Sequence, residues 1–185
     1  MATIIDKMYE DHKLLHNVLL EHKEVSLASD SDNKLKKVLL VSAASYFEYE
    51  VANAVLGFAN SSSNENPALL SLIKAKVIER QYHTYFQWEG QNANKFFSLF
   101  GERFLAECKA SVKAQRDLDE SIRAFLEIGS TRNQMMHENF STFPMDKTAE
   151  EVYALYQRAE GFLDFVKERL ASLVGVKPGT GSAQE

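Results

Sequence analysis

The sequence predicts an all-α fold, a helical bundle of about five or six helices. Three observations carry that expectation. Apolar residues recur at helical spacing through most of the chain. Only three prolines, Pro67, Pro144 and Pro178, interrupt 185 residues, so long stretches lack the strongest helix breaker. No alternating apolar–polar run is long enough to argue for a sheet.

Taken in order, Ile4, Ile5, Met8, Leu15, Val18 and Leu19 predict a first helix from about Thr3 to Val25. Ser26 to Asn33 (SLASDSDN) is rich in cap formers and reads as a polar linker. A second helix is expected from about Lys34 to Ala59. Leu39, Ala43, Phe47, Val51 and Phe58 make it apolar on more than one side, which suits a central position. Asn60 to Asn66 reads as a loop, and Pro67 is placed to open a third helix reaching about Tyr85. The aromatic-rich stretch Lys95 to Phe104 predicts a short helix with a turn at Gly101. Glu102 to about Met136 predicts a longer helix or a broken pair, with Gly129 as a candidate bend. Glu138 to Lys147 reads as a loop. Thr148 and Glu151 have capping-box spacing ahead of a final amphipathic helix, Ala149 to Val174. The expected organisation is one domain over residues 1–174 and a flexible tail over 175–185.

The totals narrow the function. With a single cysteine, Cys108, neither an internal disulfide nor a cysteine-built zinc cluster is possible. The first residues have neither the basic start nor the apolar run of a signal peptide, and no stretch approaches membrane-spanning length. The expected location is cytoplasmic, with no membrane partner. A net charge of −5 argues against a non-specific nucleic-acid binder but leaves room for a local basic patch.

Candidate chemistry lies in Gly129 to Phe140, GSTRNQMMHENF, where Arg132 is followed by Asn133 and, after four intervening residues, by His137. With the apolar helix SAASYFEYEVANAVLGF, which contains Glu48 and Glu50, and the terminal amphipathic helix, this segment resembles the HEPN superfamily. The likeness is to its RiboL-PSP-HEPN type and relatives, and runs from about Lys34 to Leu173. The resemblance implies a ribonuclease, often a toxin or antiviral effector, with Arg132 and His137 as catalytic residues. It also implies a homodimer in which two such motifs form one composite site. An antitoxin or other regulatory protein is a further possible partner.

Such a site needs no cofactor or metal. RNA carries its own nucleophile, the 2′-hydroxyl. A histidine near its ordinary pKa can exchange protons with it or with the leaving oxygen. An arginine fork can hold the phosphate and the charge that grows on it. The expected products are a 2′,3′-cyclic phosphate and a 5′-hydroxyl. Asn133 and Glu48 are supporting candidates, Glu48 because a carboxylate in an apolar setting needs a partner.

Each residue also has a structural reading. Arg132 suits the negative end of a helix dipole, and His137 a C-terminal cap contact. Met135 and Met136 read as packing residues. Lys74, Lys76, Arg80, Lys95 and Arg103 are candidates for a basic patch, and the aromatics from Tyr82 to Phe104 for base stacking or for core. His12 and His16, like Glu79 and His83, have the four-residue spacing of helical metal ligands. Further pairs on later helices are missing, so solvated histidines are expected. The alternatives to a ribonuclease are a non-catalytic binding or sensing module of the same fold and, less favoured, a metal-binding helical bundle.

Overall fold

A computed structural model describes residues 2–64 and 66–174. The expected tail lies outside these residues. Eight α-helices form the described structure, with no strand among its residues: α1 (Ile4–Glu21), α2 (Val25–Ser62), α3 (Pro67–Ile73), α4 (Tyr82–Tyr85), α5 (Asn94–Ser98), α6 (Glu102–Ala114), α7 (Arg116–His137) and α8 (Ala149–Leu173). A π-helical turn, Lys74–Ile78, follows α3 directly. The count exceeds expectation because α3, α4 and α5 are short pieces. No helix among the described residues is long and apolar enough to cross a membrane.

The all-α expectation holds, but three boundaries differ. The segment read as a polar linker is helical: α2 starts at Val25 and runs unbroken for 38 residues. The chain turns earlier, at Lys23, whose φ of 62° lies in the left-handed region. Tertiary contact and an ion pair within the helix override the cap-forming residues there. Ala28 is buried, Asp30 pairs with Lys34, and Asp32 is engaged by two histidines of α1. The expected third helix breaks after Ile78, where Glu79 is extended and Arg80 takes a φ of 59°. The long helix before the loop is a broken pair, and the break is at Gln115.

The core is built where α2, α7 and α8 meet. Leu39, Ala43, Phe47, Val51, Val55 and Ala59 of α2 are all buried, at a spacing of four residues. Such a row precesses by about 40° per step around the helix. It therefore faces different neighbours along its length, as a central helix must. Phe47, Phe125, Phe162, Phe86 and Phe96 are joined by ring contacts of 4.8–5.4 Å. Each buried phenylalanine contributes roughly 1.5–3 kcal/mol by burial, and each such pair about 0.5–1.5 kcal/mol more. Most of the aromatic segment read as a possible stacking surface is thus core.

Capping fixes where helices begin. Thr148 accepts from the Glu151 N–H, while Glu151 accepts from the Thr148 N–H. Thr3 and Asp6 make the same reciprocal box on α1. By contrast, the α1–α2 hairpin is thinly supported. Only Ile5, Tyr9 and His12 of α1 are buried, and Leu14, Leu15, Val18, Leu20, Val25 and Leu27 are exposed around the hairpin's far end.

Candidate functional site

Gly129 decides the shape of a polar cleft between α2, α7 and the segment that follows the π-helical turn. A Cβ at this position would meet Trp88 Cζ3 at 2.2 Å. The missing side chain therefore admits the indole onto α7, which runs unbroken through this position. Trp88 is fixed by a hydrogen bond from its Nε1 to the His83 carbonyl (3.0 Å) and by ring contacts with Phe86 and Tyr82. The strained turn at Arg80 folds this segment back over α2 and α7. The result is a cleft of about 210 Å³ lined by Glu48 of α2, Arg132 and Asn133 of α7, and Arg80, Tyr82, His83 and Trp88 of the connecting segment.

Arg132 is half-buried there. Its Nη1 donates to Asn133 Oδ1 (3.1 Å), and its Nη2 lies 3.8 Å from Glu48 Oε2. Glu50 points elsewhere and pairs with Lys167 of α8 (2.5 Å). Guanidinium carries five N–H donors, and these partners leave several of them facing the cleft. Tyr82 stays a neutral phenol: burial pushes its ionisation far up, the Glu48 charge adds to this, and Arg132 opposes it. The cleft thus offers two guanidiniums, one imidazole and one hydroxyl donor against a single carboxylate.

His137 is the last residue of α7 and is exposed. Five residues along a helix correspond to about 7.5 Å of rise and about 140° of rotation. His137 does not line the cleft that holds Arg132. The loop after it is pinned to α2: Lys37 Nζ donates to the carbonyls of Phe140 and Ser141, and Lys36 Nζ to that of Met145. Met135 is buried, whereas Met136 is exposed rather than packed.

The basic patch suggested by the sequence does not form as a unit. Arg80 lines the cleft, Arg103 pairs with Glu107 on α6, and Lys74 lines a separate shallow groove with Asn53 and Asn60. Glu79 and His83 are separated by the break at Arg80, so their four-residue spacing is not a helical one. The histidine and arginine of this segment reach the cleft through a backbone turn that no glycine or proline announces.

A family model described as RiboL-PSP-HEPN matches residues 6–172, so the similarity includes α1 as well as the later helices. No curated protein and no solved structure is significantly similar to the chain.

Proposed function

The chain belongs to the RiboL-PSP-HEPN family, and from that premise we propose that it is a metal-independent endoribonuclease whose catalytic residues are Arg132 and His137. The observation that carries this reading is the convergence of Arg132 and Arg80 on one cleft in a protein of net charge −5. Two guanidiniums in a cleft with a single opposing carboxylate favour a phosphate. Arg132 grips the scissile phosphate and stabilises the charge that grows on it, held in direction by Asn133 and Glu48. His137 takes the proton of the 2′-hydroxyl or returns one to the 5′-oxygen. Because His137 lies outside the cleft of its own chain, the composite site forms where the two copies of a dimer meet, with the phosphate gripped by Arg132 held between the two His137 side chains. One histidine from each protomer then serves as base and the other as acid. Single-stranded or loop RNA is the expected substrate, since unpaired backbone reaches the in-line geometry that attack needs. Such an activity suits a toxin or antiviral effector of the cytoplasm, held in check by an antitoxin or regulatory partner.

The exposed position of His137 also favours a second reading. Without dimerisation the fold is a binding module that holds RNA or a nucleotide in the cleft and does not cut. One experiment separates the two. Purified wild type, Arg132→Ala, His137→Ala and His83→Ala are incubated with total RNA in EDTA, and the ends are analysed. Cyclic phosphate ends from wild type, lost in Arg132→Ala and His137→Ala while both stay dimeric and folded, support the proposal. Loss in His83→Ala with His137→Ala unaffected moves the proton transfer to His83. Binding without cleavage by wild type favours the module.

A further inference from the structure

Where the α1–α2 hairpin joins the body, two imidazoles close on one carboxylate. His12 and His16 stand one turn apart on α1, and Asp32 approaches from α2. His12 Nε2 lies 2.5 Å from Asp32 Oδ1, and His16 Nδ1 lies 3.2 Å from Asp32 Oδ2. One ligand atom from each residue falls within 4.8 Å of the others. His12 is only 8% exposed, so the cluster is built into the fold and not scattered on its surface. His16 Nδ1 is buried and, despite its distance from Asp32, makes no hydrogen bond of acceptable geometry. A buried ring nitrogen without a partner is uncommon, and its lone pair is a ligand for a cation.

We propose that His12, His16 and Asp32 bind a divalent transition-metal ion of the zinc class. The donor set selects this class: two imidazole nitrogens disfavour calcium and magnesium, and the lack of a thiolate disfavours copper(I). Tetrahedral zinc with bonds of 2.0–2.1 Å keeps its donors about 3.3 Å apart. The three donor atoms lie within 4.8 Å of one another, so seating an ion needs His12 and Asp32 to part slightly and no pair to close by more than about 1.5 Å. Three protein ligands leave a position free, and the cluster opens on a groove of about 540 Å³ lined by Tyr9, Asn33, Thr148 and Glu150. A water or a small anionic ligand completes the coordination from that side. Sixteen residues of α2 separate Asp32 from Glu48, about 24 Å along the helix. The ion is therefore independent of RNA cleavage at Arg132, and it fastens α1 to the first half of α2.

The test is zinc titration of the full chain after stripping with EDTA, followed by calorimetry and metal analysis. The expected result is one Zn²⁺ per chain, with affinity reduced on the order of 100-fold in His16→Ala and in Asp32→Asn. Both positions are partly exposed, so the variants should fold, as circular dichroism checks. A His22→Ala/His83→Ala/His137→Ala triple variant should bind as wild type does. Zinc at roughly 100 times Kd should raise the wild-type Tm by about 5–10 °C and leave the two ligand variants unmoved. Substoichiometric binding by wild type, or equal binding by the ligand variants, overturns the proposal and leaves a histidine–aspartate hydrogen-bond cluster.

Discussion

Gly129→Ala would ordinarily stabilise a helix. Alanine in a helix interior gains about 1 kcal/mol over glycine. Here the new Cβ would lie 2.2 and 2.3 Å from two atoms of the Trp88 ring, where carbon contacts sit near 3.5–4.0 Å. The indole must therefore retreat by more than about 1 Å. It is held by the hydrogen bond to His83 and packed between Phe86, Tyr82 and Phe125. Overpacking costs about 1–3 kcal/mol and the strained hydrogen bond about 1 kcal/mol. Against the helix gain, the net loss is about 2 kcal/mol, a Tm drop of roughly 4–8 °C for a domain of this size. Gly57 is the internal control: it lies within α2 with nothing near its absent side chain. Gly57→Ala should raise stability by about 0.5–1 kcal/mol. Trp88 is the single tryptophan, so its fluorescence reports the displacement directly as a red shift. Thermal and urea unfolding of both variants decides the matter. If Gly129→Ala matches Gly57→Ala in stability and leaves the emission unchanged, the clearance argument is wrong.

Three further outcomes are expected. Arg80→Gly should stabilise the fold by about 1 kcal/mol by relieving the left-handed backbone, yet weaken RNA binding, since it also removes a guanidinium from the cleft; a stability gain with unchanged binding would remove Arg80 from the site. Thr148→Ala should cost about 0.5–2 kcal/mol by opening the α8 capping box, read as a lower urea midpoint with unchanged m value. Burial acts to raise the Asp6 pKa, but hydrogen bonds from the Thr3 N–H and from the Tyr153 and Thr3 hydroxyls hold it below its ordinary value of 3.8. A depressed carboxyl contributes stability above its unfolded pKa and loses it as pH falls through the folded one. Wild type should therefore lose stability more steeply below about pH 4 than Asp6→Asn, and parallel acid profiles would refute this.

Local signals made much of the fold legible. The stripe of α8 and the spacing of Thr148 and Glu151 identified that helix and its start, because both are set within a few residues. What escaped the sequence depends on distant partners. SLASDSDN reads as a linker by composition, but α1 and the rest of the bundle hold it helical. Asp32 sits in that same segment, so the pair His12 and His16 looked like solvated histidines with no third ligand. The clearance role of Gly129 escapes local reading because Trp88, which needs the space, lies 41 positions earlier in the chain (129 − 88). At the cleft, the adjacency of Arg132 and Glu48 follows from how α7 crosses α2. The arrival of Arg80 and His83 depends on a positive φ at an arginine, which carries no local signature.

The length of α2 has a consequence for how the molecule breathes. At 1.5 Å per residue it spans about 57 Å, against a radius of gyration near 16 Å for a globule of this size. From Leu39 to Ala59 the rod is clamped by the core, whereas toward Val25 only Ala28 is buried. One continuous ladder of hydrogen bonds thus has two protection levels. Amides of the clamped part should exchange with deuterium only on global unfolding, and those between Val25 and Lys37 through a local opening of far lower free energy. The far end of the hairpin is expected to open first, and an ion seated across His12, His16 and Asp32 would tie it to the rest.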